Sequence, residues 1–412
     1  MLQVQRFVIM RIINIKYKRL SFFDESQPTV QHKKKISTMI TRPQNRLVLM
    51  LIVMMSSILT LNLKAETNES KPFNKEISVF DALQSDDILE ITIETNLSVL
   101  VEDRRSEEYQ MGMLIYEDSE GNDNELVVKL RPRGKFRRRI CDFPPLKLKF
   151  PKKHLKAAGL APKYNDLKLV THCLDAKSEG KNNVIKELLA YKMYQELTQN
   201  SYRVQLVRIT YVDSNKKIGK IKRYGFLIED TDQMVARIRG KEFEQLSPDP
   251  LIIATMNENT MAVFQYMIGN TDYSLAMLRN LKLVQPKNGG ALIPVPYDFD
   301  FSGFVHTAYA KPNADYGMRS VRDRYFLGLP VEDSLLKRTF SLFKVKRRAL
   351  ENLIQDQKGL SRTVKDELLT YINTFYDSLD DITESNERHL YIALKSAISP
   401  ERPAAIKPIL GK

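Results

Sequence analysis

Apolar and polar positions alternate with a period of two through much of the first half of the chain, and with a helical period through most of the last quarter. The region "VFDALQSDDILEITIETNLSVLVED" reads as an opening strand region, and within it "ILEITIET" alternates as a half-buried strand does. "MGMLIYEDSEGNDNELVVKLRPRGKF" holds two strand-like runs around "DSEGNDN", a hairpin signal. In "PLKLKF", Leu146, Leu148 and Phe150 share one face, and Lys147 and Lys149 share the other. "NDLKLVTHCLD", "YRVQLVRITYVD" and "YGFLIED" supply further strands. Between them "KNNVIKELLAYKMYQELTQ" repeats Val184, Leu188, Tyr191 and Leu197 at helical spacing. "TMNENTMAVFQYMIGN" predicts another helix, and "LKLVQPKNGGALIPVPYDFD" a hairpin turning at "KNGG". From about Val331 to Ser396 the pattern is helical, clearest in "SLLKRTFSLFKVKRRALENLI" and "TVKDELLTYINTFYDSLDDI". This order predicts an α+β protein with a strand-rich N-terminal lobe over residues 66–230 and a helical C-terminal lobe over 231–412.

Composition agrees with a globular protein: of 412 residues, 43% are hydrophobic and 28% charged. The net charge of +14 changes meaning once it is divided along the chain. Residues 1–65 hold 11 Lys/Arg and 2 Asp/Glu, so +9 of the excess lies there and only +5 in the remainder. A nucleic-acid partner is therefore not expected. The leader itself predicts export. Positive "TRPQNR" precedes the apolar run "LVLMLIVMMSSILTLNL" of residues 47–63, and "LKA" offers a small residue for cleavage. An uncleaved anchor is the alternative, and membrane contact is expected only through this run. Residues 1–38 are unlike a signal peptide, and Met39 makes a more ordinary start. The two cysteines, Cys141 and Cys173, lie in the part expected outside the cytoplasm, where either a bridge or two buried thiols fits.

The candidate chemistry sits in "GNTDYSLAMLRN" and "PVPYDFDFSG", where Asp272, Asn280, Asp298 and Asp300 occupy largely apolar surroundings. Turn and capping roles account for any one of them. Together with a lysine on an earlier strand and a glutamate on the next helix, they match the needs of phosphoryl transfer: cations at the phosphates, oxygen ligands for a metal, and a carboxylate beside the nucleophile. Lys147 or Lys149 would hold phosphate oxygens, with Glu187 orienting whichever of them does so. Asp272 would accept the proton of an attacking hydroxyl. Asn280 and Asp298 would hold Mg²⁺ or Mn²⁺. The plain alternatives are a polar strand face for the lysines and, for Glu187, an ion pair one helical turn away.

From about Val128 to Gly303 the ordered series "RPRGKFRRR…PPLKLKF", "LKLVTHCLDAKSEGKNNVIKELLAYKMYQELT", "YGFLIED", "GNTDYS…RN" and "VPYDFDFSG" resembles the CotH-type atypical kinases, a spore-coat and secreted-kinase family. The resemblance implies a two-lobed protein-kinase-like fold and Mg²⁺-dependent transfer from ATP to a Ser or Thr hydroxyl of a protein or to another hydroxyl acceptor. It implies that Asp272 is the catalytic aspartate, Asn280 and Asp298 the metal ligands with Asp300 a second candidate, and Glu229 the end of a hinge-like strand at the nucleotide. Asp272 and Asn280 stand eight apart, wider than in usual protein kinases, and no multi-glycine phosphate loop is present. The arginines of "RPRGKFRRR", Arg133 among them, are candidates to clamp phosphate instead, although a basic run is also an ordinary solvated face. Two rival functions fit the same acids. One is a metal-dependent phosphohydrolase or nuclease using Asp272, Asp298 and Asp300. The other is a kinase-shaped module that binds an anionic envelope ligand without turnover.

Overall fold

Seven strands close on themselves in the order β1-β2-β3-β4-β5-β7-β6. They are β1 (Leu89–Thr95), β2 (Gln110–Glu117), β3 (Asp123–Pro132), β4 (Leu146–Lys149), β5 (Asp166–Val170), β6 (Val204–Asp213) and β7 (Lys220–Ile228). The computed structural model describes residues 77–118, 120–384 and 389–396, so the leader expectations for residues 1–65 lie outside the described part. Every neighbouring pair is antiparallel except β1 with β6, which run parallel from Leu89 opposite Val207 to Thr95 opposite Asp213. Period-two alternation turns every second residue into the barrel. Ile91, Ile93, Leu114, Val128, Leu130, Leu148, Leu167, Leu169, Val207 and Ile209 meet there in one core. Each such fully buried side chain contributes roughly 1.5–3 kcal/mol.

The chain remains a mixed α+β protein, but this closure overturns the two-lobed protein-kinase-like fold expected above. A kinase-like N-terminal lobe would leave the sheet open; the parallel β1–β6 pairing joins its two edges into a barrel. The opening region also differs from its strand reading. Val79–Ala82 and Leu97–Glu102 are short helices, started by Ser78 and Asn96 side chains that accept the Asp81 and Val99 N–H groups.

Outside the barrel a second core gathers around the helices Lys177–Leu197 and Thr255–Met267, and against the long amphipathic helices Asp333–Asp356 and Arg362–Glu384. A small sheet, β8 (Gly240–Phe243), β9 (Leu281–Pro286) and β10 (Ile293–Pro296), has the order β10-β9-β8 and carries the predicted hairpin. Cys141 and Cys173 form a disulfide, with Cα atoms 4.5 Å apart. Among the described residues no helix is long and apolar enough to cross a membrane.

Helix Thr255–Met267 is buried on nearly every side, Glu258 included. One Glu258 oxygen accepts the Leu329 N–H at 3.1 Å, and the other has no hydrogen-bond partner. Burial pushes this carboxyl from its ordinary 4.5 up to about 7. The native state therefore keeps a proton that the unfolded chain has already released, and stability falls as pH rises through this window. Glu258→Gln should remove that loss, leaving the variant more stable than the parent by roughly 3 kcal/mol above the native pKa. Urea unfolding of both proteins on either side of pH 7 checks this, and equal pH dependence in the two would refute it.

Candidate functional site

The turn after β3 brings one arginine inward. Gly134, at φ +80°, permits the reversal, and the single-turn helix Arg137–Ile140 follows. Arg137 is buried, and its guanidinium reaches carboxylates from two other parts of the fold. Nη1 and Nη2 donate to the two Glu187 oxygens at 3.3 and 3.1 Å, and Nη2 also meets Asp298 Oδ1 at 2.6 Å and Asp300 Oδ1 at 2.8 Å. Tyr309 donates its hydroxyl to the other Asp300 oxygen at 2.8 Å. Tyr191, one helical turn beyond Glu187, accepts the Asp298 N–H at 2.8 Å. The helix thus grips the 298–300 loop twice, once through Arg137 and once directly.

A second loop faces this one. The Asn280 amide donates to the Asp272 backbone oxygen at 2.7 Å and to its carboxylate at 2.9 Å, while Arg279 lies 3.3 Å from the other carboxylate oxygen. Spacing Asp272 and Asn280 eight apart lets the intervening chain loop out and return. Backbone bonds from Gly303 N to Gly269 O and from Phe304 N to Ile268 O sew the two loops together. Gly269 and Gly303 both abut the Tyr371 hydroxyl, where an added Cβ would come within 2.2 and 2.5 Å of it. Asn280 and Asp298 adopt left-handed φ of +53° and +64°, conformations that cost a non-glycine residue energy and that gather at functional sites.

These walls enclose a cavity of about 510 Å³ lined by Arg133, Arg137, Asp272, Arg279, Asn280, Asp298 and Asp300. At its wall Asp298 and Asp300, with Glu187 buried behind them, offer carboxylate oxygens that all lie within 4.8 Å of one another, a donor set that could hold a metal ion. All-oxygen donors suit a hard cation such as Mg²⁺ or Mn²⁺. With all three ionised, the carboxylates against one guanidinium would leave a net charge of −2, the state that an arriving divalent ion would favour. Asp298 is the accessible member, its side chain 30% exposed against 3% for Glu187 and 4% for Asp300. A metal entering from the cavity would therefore meet Asp298 first. Burial pushes the carboxyls of Glu187 and Asp300 up, and Arg137 opposes the shift in both. Burial also raises Asp272, with Arg279 pulling the other way.

Not every expected residue joins this group. Lys147 lies 3.0 Å from Asp166, and Lys149 is exposed on the outer face of β4, so the lysine–glutamate pair is replaced by Arg137 with Glu187. Glu229 is fully buried and held by Arg203 at 3.0 Å and Arg237 at 2.6 Å, which makes it a structural tie and not part of the cavity wall. Arg133 lines both the acidic cavity and a neighbouring one of about 360 Å³, which also holds Lys147, Lys163 and Lys168. Lys168 donates to Thr231 Oγ1 at 2.9 Å and lies over the Tyr202 ring. Burial first, then the charges of Arg133 and Lys282, lower its ammonium to about 7. Lys168 was not singled out from sequence, although alternation in "NDLKLV" sets it opposite Leu167 and Leu169. Arg137 was hidden among five neighbouring arginines and lysines. Helical spacing marks Tyr191 as a core residue and gives no sign of its bond to the Asp298 N–H.

Comparison of the chain with models of known protein families and with curated proteins finds no match.

Removing Arg137 would leave its carboxylates facing one another without a cation. Arg137→Ala should cost about 3–5 kcal/mol of folding stability. Arg137→Lys should recover only part of this, because one ammonium cannot fork towards several carboxylates. Denaturant titration of the three proteins gives the ranking, and a fully stable alanine variant would contradict it.

Proposed function

We propose that the acidic cavity carries out Mg²⁺- or Mn²⁺-dependent transfer of the ATP γ-phosphoryl group to a hydroxyl, with a Ser or Thr of a protein as the expected acceptor. The observation that carries this reading is the meeting of Asp272 and Asp298 in one cavity with Arg133, although 26 positions separate the two acids. Phosphoryl transfer depends on positioning and charge neutralisation more than on covalent chemistry. Asp272 is the base: it is partly buried, its carboxyl is raised, and Asn280 and Arg279 fix its direction. Asp298, with Asp300 and Glu187 behind it, is the metal-holding group. The metal, when bound, neutralises phosphate charge. Arg133 bridges the two cavities and suits a phosphate chain lying across both. In the second cavity Lys168 takes the part first given to Lys147 or Lys149.

The resemblance to CotH-type kinases supports this reading through its side chains alone. No protein-kinase-like fold is needed, since the reaction requires only that these groups converge. Export is part of the proposal, and the Cys141–Cys173 bridge is in keeping with an oxidising compartment. One observation favours a second reading, a module that binds an anionic ligand without turnover: Arg137 already neutralises part of the acid cluster.

The two readings separate in one pair of assays. ATP with Mg²⁺ should raise the melting temperature of the parent by at most roughly 2–4 °C, and Asp298→Ala should abolish the metal-dependent part. Asp272→Ala should keep most of the shift and lose about 10²–10⁴ in transfer rate. A parent protein that binds ATP yet transfers phosphate no faster than Asp272→Ala supports the binding module. The absence of any metal-dependent shift or transfer rejects the phosphoryl-transfer reading.

A further inference from the structure

The residue that organises the carboxylates sits on a turn too short to hold itself. The helix Arg137–Ile140 has four residues, and no side chain caps its start. Phe136, just before it, and Ile140, its last residue, are exposed to 43% and 36%. Besides the bonds of Arg138 to the Arg105 carbonyl at 2.9 Å and to Glu107 at 3.2 Å, two anchors tie this turn to the elements of the acid cluster. On one side Phe136 packs edge-on against Phe301, with ring centroids 5.2 Å apart. On the other the helix ends at Cys141, whose N–H donates to the Arg137 carbonyl at 2.9 Å and whose sulfur is bonded to Cys173. Cys173 lies between the end of β5 and the start of the helix that bears Glu187. Its φ of +53° is one a non-glycine residue adopts only under constraint, and its carbonyl accepts the Phe143 N–H at 3.1 Å. Both cysteines are buried.

We infer that the Cys141–Cys173 bond is the positioning element for Arg137. It ties the end of the arginine's turn to the start of the glutamate's helix, so both partners of the Arg137–Glu187 pair are referred to one covalent bridge. With the bond cut, the turn keeps only non-covalent ties: Phe136 on Phe301 on the Asp300 side, Arg138 to the Arg105 carbonyl and Glu107 at its outer edge, and the Phe143 N–H on the Cys173 carbonyl beyond it. Arg137 then leaves the carboxylates for solvent, and the 298–300 loop loses its cation. Cutting the bond is a two-electron reduction. A dithiol reductant passes two electrons and two protons to the bridge, yielding two cysteine thiols, and is itself oxidised to its cyclic disulfide.

Amide hydrogen exchange on the full chain tests this without metal or nucleotide, so its outcome does not depend on the proposed activity. In Cys141→Ser/Cys173→Ser, exchange in residues 134–142 and 297–301 should rise roughly tenfold, while helix Arg362–Glu384 keeps its protection. The 297–301 segment is the decisive one: the bridge reaches it through Arg137 and through Phe136 on Phe301, and an Arg137→Lys background separates the two routes. In an Arg137→Lys background, removing the cysteines should therefore add little to its exchange. A uniform rise across all three segments, no rise at 297–301, or a full further rise in the Arg137→Lys background each overturns the inference. If the double variant does not fold, the parent protein reduced with dithiothreitol takes its place, with both thiols counted by mass. Retained protection at 297–301 in that reduced protein likewise overturns it.

Discussion

A single guanidinium shared by three carboxylates sets the terms for the rest of this structure. Glu187 comes from a helix, Asp298 and Asp300 from the loop after β10, and Arg137 from the turn after β3. Carboxylates this close in a poorly solvated place repel strongly unless a cation intervenes. The helix, the loop and the barrel turn can therefore hold their mutual positions only with the arginine among them. A buried ion cluster of this kind adds little stability compared with an apolar replacement, because desolvation offsets most of the attraction. What it supplies is a fixed arrangement of charge, and it lies along the wall of a cavity instead of deep in either core.

The surrounding backbone is shaped to the same end. Asn280 and Asp298 hold left-handed conformations on opposite loops. Each is kept there by specific bonds: Asn280 by the two acceptors on Asp272, Asp298 by the Tyr191 hydroxyl. The loops approach closely because Gly269 and Gly303 leave room beside Tyr371. Tyr371 belongs to helix Arg362–Glu384 and donates its hydroxyl to the Arg322 carbonyl at 3.0 Å, so the cavity floor rests on the most amphipathic part of the chain. Strain at the surface of the cavity is thus borne by packing beneath it.

Much of this was legible from residue order, and the exceptions have physical causes. Period-two alternation located most of the barrel strands, and helical spacing located the Glu187 helix and the long C-terminal helices, because both signals are local. Closure of the barrel was not legible. It depends on β1 meeting β6, segments more than a hundred residues apart, and alternation says which face is buried but not which edge finds a partner. The pairing of Asp272 with Asn280 and the meeting of Asp298 with Asp300 follow from motifs read as two short units. Arg137 was obscured because five bases in "RGKFRRR" look alike in sequence; only the turn at Gly134 decides which one points inward. The strand lysines differ in their surroundings. Lys147 and Lys149 alternate correctly on β4, but Lys168 on β5 is the one enclosed by aromatic rings.

The choice of arginine over lysine at position 137 follows from the geometry of its partners. Four carboxylate oxygens from three residues lie around one side chain, at 2.6 to 3.3 Å from its two terminal nitrogens. A planar fork with separated donors can answer oxygens that approach from different directions, whereas an ammonium presents one compact centre. Burial works against the charge on Arg137, but Asp300, Glu187 and Asp298 outweigh it and hold the guanidinium protonated. The cluster therefore retains a permanent internal charge, and Asp298, which is partly open to the cavity, is left as the carboxylate best able to respond to an arriving cation.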